Sequence, residues 1–130
     1  MIKFSYTILY VPDVTATISF YEKAFDLKRK FITPDNSYGE LDTGDTTLSF
    51  ASIPQANSNL KSGFVVGNLK DKPLGFEIAF ATNEVEKVYR KAVKAGAIPE
   101  TEATVKPHGQ TVAYVRDPNG FLIEICTPIV

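Results

Sequence analysis

The run Asp117-Pro118-Asn119-Gly120-Phe121-Leu122-Ile123-Glu124-Ile125 couples a tight-turn signature to an apolar strand broken by one acid. Side chains alternate along a strand, so Phe121, Ile123 and Ile125 share one face while Leu122, Glu124 and Cys126 share the other. Strand-type residues over 110–116, just before the turn, make the pair a hairpin. Farther upstream, Phe76-Glu77-Ile78-Ala79-Phe80 repeats the arrangement, with Phe76, Ile78 and Phe80 on one face and Glu77 beside Ala79 on the other. Carboxylates are seldom enclosed without a partner. Glu77 and Glu124 therefore turn from the packed side of a sheet toward whatever its other side encloses.

The surroundings of these strands extend the pattern. A strand over 75–81 leads to Thr82-Asn83, which caps a helix over 84–95 stopped by Gly96. Val85, Val88 and Ala92 give that helix its apolar side, and a weaker strand follows over 97–102 before the hairpin of 110–116 and 121–127. The first half reads alike. A strand over 2–11 puts Tyr6, Ile8 and Tyr10 on one face and Thr7, Leu9 and Val11 on the other. Asp13 caps a helix over 14–25 whose stripe is Val14, Ile18, Tyr21 and Phe25. Strands over 28–32, 38–42 and 46–52 follow, separated by the turn clusters Pro34-Asp35-Asn36 and Thr43-Gly44-Asp45. Residues 53–73, rich in Pro, Asn, Ser, Gly and Lys, read as a connector.

A unit of strand, helix and three strands thus occurs twice. Setting Ile8 against Ile78 pairs Tyr10 with Phe80 and Asp26 with Gly96; setting Ser49 against Glu124 pairs Leu48 with Ile123 and Phe50 with Ile125. The expected fold is α+β: two tandem βαβββ modules, about 1–52 and 74–130 of a single domain, forming curved mixed sheets around a cup.

Composition narrows the partners. With 130 residues, 44% hydrophobic and 22% charged, the chain can bury a core and is not disordered. A net charge of -1 and scattered basic residues argue against nucleic acid, the run Lys28-Arg29-Lys30 reading as a solvated strand edge. The single cysteine, Cys126, excludes an intrachain disulfide framework and a thiolate zinc cluster, and its place at a strand end suits a small buried hydrophobe. No apolar run reaches membrane-spanning length and the first residues enter a strand pattern at once, so a soluble cytoplasmic protein is expected.

The duplicated unit resembles the vicinal oxygen chelate superfamily, which holds the glyoxalases, bleomycin-resistance proteins and extradiol dioxygenases. The resemblance is carried by Tyr6 through Val14, Phe20 through Leu27, Gly75 through Phe80, Ala95-Gly96-Ala97 and Val115 through Ile125, and it spans nearly the whole chain. It implies a homodimer. In metal-using members, four positions on the first and last strands of the modules hold a divalent ion, usually through His and Glu. Those positions correspond here to Tyr6, Ser49, Glu77 and Glu124. Only Glu124 is of the usual type; a phenol and a hydroxyl are poor ligands for nickel, zinc or iron. The metal-ligand set is incomplete, and no tightly bound metal or other cofactor is expected, although Glu77 and Glu124 could hold magnesium or manganese weakly.

Alternation collects an inward set of Tyr6, Ile8 and Tyr10, Thr47, Ser49 and Ala51, Glu77 and Ala79, and Leu122, Glu124 and Cys126. Aromatic and aliphatic walls around a few polar groups make a small-molecule pocket. Two acids in it would share a proton, serving acid/base chemistry or a cationic ligand. His108, the only histidine, lies in a loop that the resembled fold brings to the mouth. Tyr38 and Glu40 stand on the third strand, toward the rim. The expected function is that of a metal-independent small-molecule-binding protein using Tyr6, Ile8, Tyr10, Thr47, Ser49, Glu77, Leu122, Glu124 and His108. The alternative is a divalent-metal-dependent lyase, isomerase or dioxygenase with His108 as third ligand or base.

Overall fold

The computed structural model describes residues 1–129 and divides into two compact units, Met1–Val66 and Gly67–Val130. Each carries a four-stranded mixed sheet backed by a helix.

In the first unit the order is β1 (Tyr6–Val11), α1 (Val14–Phe25), β2 (Lys28–Ile32), β3 (Tyr38–Asp42), β4 (Thr47–Ser52) and α2 (Ile53–Asn59). The sheet runs β1-β4-β3-β2, with β1 parallel to β4 and the remaining pairs antiparallel. Asp13 caps α1 by accepting from the Ala16 amide at 2.9 Å, and Asp26 ends it in the left-handed region at φ 55°. Val14, Ile18 and Tyr21 of the expected stripe are buried, while Phe25 is half-buried. The Tyr21 ring lies 5.2 Å from that of Phe50, so the helix and β4 meet through large rings. The first strand is shorter than expected because its ladder begins at Tyr6: β4 starts opposite it at Thr47, after the turn over 43–46.

The stretch read as a connector contains α2. Ser52 accepts from the Gln55 amide at 3.2 Å, Pro54 stands in the first turn and Ala56 is buried. Ser52-Ile53-Pro54-Gln55 is a helix-start pattern, masked by the polar turn-type residues around it.

The second unit contains β5 (Glu77–Ala81), α3 (Val85–Lys94), β6 (Ile98–Val105), β7 (Thr111–Arg116) and β8 (Leu122–Cys126), in the sheet order β5-β8-β7-β6. Ile123 and Ile125 are fully buried, each contributing about 1.5–3 kcal/mol by leaving water. Ile78 and Phe80 of the same expected face are only half-buried, because α3 packs chiefly over β6, β7 and β8 rather than edge strand β5. Gly96 follows the helix at φ 119°, as Asp26 does α1. Thr82 accepts from the Glu84 amide, so the expected capping side chain acts two residues ahead of Glu84, the N-cap position, which has no side-chain cap bond of its own. Strand β6 extends beyond 102 to Val105 with irregular register; as an exposed edge it is held by its ladder to β7 rather than by burial.

The ladders shift one match between the halves. Ile8 pairs with Ser49 and Ala79 pairs with Glu124, so with Ser49 and Glu124 equivalent, Ile8 answers to Ala79 rather than Ile78, and Tyr6 to Glu77. The apolar residues of a strand fix its face; only the partner strand fixes its register.

Candidate functional site

Glu124 stands at the centre of the second sheet's face opposite α3. The tight turn at Asp117 fixes the β7–β8 register and sets Tyr114 across from it. That turn is strongly held: the Asp117 carboxylate accepts from the amides of Asn119 and Phe121, both at 2.9 Å, and the buried Arg116 donates to the carbonyls of Gly120 and Asn68, both at 3.0 Å. Tyr114 in turn donates its phenolic proton to Glu124 Oε1 at 2.8 Å. Glu77, on the neighbouring strand β5, hydrogen-bonds with Glu124 from the other side.

The two acids are pushed apart electrostatically. Glu77 is exposed along its length, yet loss of hydration, then its hydrogen bond to Glu124 and the repulsion of that charge push its carboxyl up from 4.5 to about 7. Burial alone would raise Glu124 too, but hydrogen bonds from Glu77, Tyr114 and Cys126, with the nearby Lys106 charge, hold it below its ordinary value. Tyr114 is pushed up to about 12, by the bond to Glu124 first and burial second. The Cys126 thiol is pushed up to about 11, mainly by burial. At neutral pH the face therefore presents a carboxylate fed by a phenol, a thiol and a neighbouring carboxyl that shares its proton. Such a pair can donate to or accept from a ligand near neutrality.

The first sheet presents its expected residues on the corresponding face. Tyr6 and Ile8 are exposed, Tyr10 meets Phe64 edge-on at 4.7 Å, and Thr47 is half-buried. Ser49 is fully buried and donates to the Thr7 carbonyl at 3.4 Å. Tyr38 and Glu40 share this face, because the intervening Gly39 points at the helix, where a Cβ would meet Ile18 Cδ1 at 2.5 Å. Glu40 is 7% exposed; its Oε2 accepts from Tyr38 at 2.7 Å and its Oε1 lies 3.8 Å from Lys30 Nζ. Burial first, then the bond to Glu40 and its charge, push Tyr38 up to about 12 against an opposing hydrogen bond from Ser49.

His108 turns elsewhere. Its Nε2 lies 2.6 Å from Gln110 Oε1, and Gln110 donates to the Thr127 carbonyl at 2.7 Å. These three residues, with Asn83 and Pro128, line a cavity of about 490 Å³. The loop's influence on Glu124 comes from Lys106 instead. Leu122, half-buried, pairs with Glu77 across the β5–β8 ladder. Tyr114 and Lys106 are site residues that the sequence reading passed over. Counting back from the Asp117 turn would have found Tyr114, since Arg116 opposite Leu122 puts Tyr114 opposite Glu124.

The residues do not fit the divalent ion of metal-using members. Among the described residues, no group of three or more His, Cys, Asp or Glu could hold a metal. Ser49 offers only a neutral hydroxyl, a poor ligand for such an ion, and Glu124 already accepts from a phenol.

Comparison with known proteins agrees with this architecture. A family model described as the glyoxalase/bleomycin resistance protein/dioxygenase superfamily matches residues 3–125. YwbC of Bacillus subtilis (strain 168) is 31% identical over 124 residues, covering 94% of each chain. A lactoylglutathione lyase of Arabidopsis thaliana is 29% identical over 129 residues, covering 95% of this chain but 43% of the plant protein, so the chain spans less than half of that relative. The structure of a glyoxalase-related enzyme from Fulvimarina pelagi superposes with a TM-score of 0.82 at 21% identity, covering 98% of this chain and 89% of the other. The chain belongs to the glyoxalase/bleomycin resistance protein/dioxygenase superfamily.

Proposed function

We propose that this chain is a metal-independent small-molecule-binding protein whose second sheet recognises its ligand through the Glu77–Glu124 pair. The observation that carries this reading is the engagement of Glu124 by Tyr114 at 2.8 Å, with Glu77 on the neighbouring strand β5. A carboxylate supplied with protein donors gains little from a divalent ion, whereas a polar ligand can exchange hydrogen bonds with the pair and rest on Leu122 and Ala79. His108 lines a cavity of its own in the second unit, and Tyr6, Ile8, Tyr10 and Thr47 offer a binding face that belongs to the first sheet. In keeping with the family, the protein acts as a cytoplasmic homodimer, which light scattering of the purified chain would check.

A second reading is favoured by the similarity to a protein named lactoylglutathione lyase and by the two oxygen donors at 77 and 124. It makes the chain a lyase, isomerase or dioxygenase using a loosely held divalent ion. Elemental analysis with a thermal-shift panel of magnesium, manganese, nickel and zinc separates the two, since an ion bound only to the folded chain must raise its melting point. Binding protein predicts sub-stoichiometric metal and no shift. Stoichiometric metal, with a shift abolished by Glu124→Gln, overturns the metal-independent reading.

A further inference from the structure

Glu40 is the most enclosed carboxylate among those described on either sheet's open face, and neither the family's ligand positions nor the acid pair accounts for it. Its row across the first sheet is Phe31, Glu40, Ser49 and Ile8. Enclosing a charge is costly unless a counter-charge and hydrogen bonds replace the lost water. One oxygen is well served by Tyr38 at 2.7 Å. Among the described residues the other meets only the ammonium of Lys30 at 3.8 Å, an ion pair too long for a hydrogen bond. Lys30 is poorly anchored: it stands at the β2 register shift and its side chain is 58% exposed, against 10% for Glu40. An ammonium group can therefore reach this carboxylate from solvent, and the one doing so is easily displaced. Around it the face is aromatic. Phe31 packs on Tyr38 at 6.0 Å and is itself partly exposed, and exposed Tyr6 stands on the same face of the sheet. Ring faces beside a buried carboxylate are the surroundings an organic cation seeks.

We infer that Glu40 is a recognition residue for an organic cation, an amine or amidine on an aryl or alkyl body, and that Lys30 fills the place of the ligand's charged group in the free protein. The inference rests on the reading of this chain as a small-molecule-binding protein and names the ligand class. Binding exchanges one ammonium for another: Lys30 swings to solvent, the incoming N–H groups hydrogen-bond Oε1, and Tyr38 holds the carboxylate in place. No proton need move.

The test is calorimetry on the full chain at neutral pH with 2-phenylethylammonium, its neutral counterpart 2-phenylethanol and the anion phenylacetate. The ammonium should bind and the other two should not. Lys30→Met should tighten the ammonium about tenfold, by removing the internal competitor, and Glu40→Gln should weaken it at least about tenfold, the worth of a charge-assisted hydrogen bond. Should Glu40→Gln not fold, Tyr38→Phe must still weaken binding, and the Lys30→Met gain stands by itself. Equal binding of the alcohol, or no response to Lys30→Met and Glu40→Gln, overturns the inference. Ammonium binding lost in Glu77→Gln but unchanged in Glu40→Gln overturns it too, while sustaining the role of the acid pair. No binding to wild type or Lys30→Met also overturns it, and the metal panel then judges the broader reading separately.

Discussion

The two sheets carry the same chemical couple, a carboxylate accepting from a phenol, but build it on different strands. In the first, Glu40 sits on β3 with its phenol, Tyr38, two residues away on the same strand, and the opposite position on β4 is Ser49. In the second, the acid is Glu124 on β8 and the β7 residue opposite is its phenol, Tyr114. The phenol stays on the corresponding strand, β3 or β7, while the acid moves from β3 in the first sheet to β8, the counterpart of β4, in the second. Their surroundings differ as well: Glu40 is nearly enclosed and loosely countered by Lys30, whereas Glu124 is half-buried and joined by a second acid. Positional equivalence between repeats therefore does not track chemical equivalence, and each sheet needs its own hydrogen-bond account.

The turns ahead of β4 and β8 give the sharpest contrast. Gly120 has φ 92° and a Cβ there would lie 2.6 Å from the Asn68 carbonyl carbon, whereas Gly44 has φ 88° with nothing within 4 Å. Gly120→Ala should cost about 3 kcal/mol or more and Gly44→Ala about 1 kcal/mol in urea unfolding, the difference being the clash with backbone; equal costs would break the distinction. Next comes Glu40→Ala, which takes from the half-buried Tyr38 hydroxyl its acceptor and should cost about 2 kcal/mol. Glu124→Ala should cost under about 1 kcal/mol, because its site is more open and the change relieves repulsion on Glu77; the reverse order would show that the enclosure of Glu40 is unimportant.

Smaller effects sharpen the comparison. Tyr38→Phe and Tyr114→Phe should each cost about 1 kcal/mol and each remove one phenol from the group titrating near 12 in an alkaline absorbance titration. An unchanged late phase in either variant would deny that phenol its carboxylate. The smallest effect concerns pH. The Glu77 pKa is raised, so the stabilisation from its protonated form is complete below 4.5 and lost as pH rises through about 7. Glu124 runs the other way, its contribution present above 4.5 and lost as pH falls through its depressed value. Glu77→Gln should therefore gain on wild type between pH 4.5 and 7 in thermal unfolding; a constant offset across that window would separate the acids.

Alternation and capping made most of the fold legible. Asp13, Asp26 and Gly96 mark the helix ends, and the buried positions Leu9, Phe50, Ile123 and Ile125 are those a period of two places under the helices. Less visible were features that depend on a partner strand or a masked cap: helix α2 behind Ser52, the length of edge strand β6, and the one-residue shift that equates Ile8 with Ala79. The candidate site divides in the same way. Glu77 and Glu124 stood out because an acid in an apolar strand is costly. Glu40 was legible only as a rim residue beside Tyr38, since Tyr38-Gly39-Glu40 has no apolar rhythm and the approach of Ile18 to Gly39 is what fixes its face.

The most direct test follows the side-chain carboxyl carbon of Glu77 by NMR through a pH titration, in wild type and in Glu124→Gln. Sharing a proton across the pair predicts a midpoint near 7 that falls toward 4.5 when Glu124 becomes an amide. A wild-type midpoint already at 4.5 would mean that the two acids ionise independently and would contradict the account.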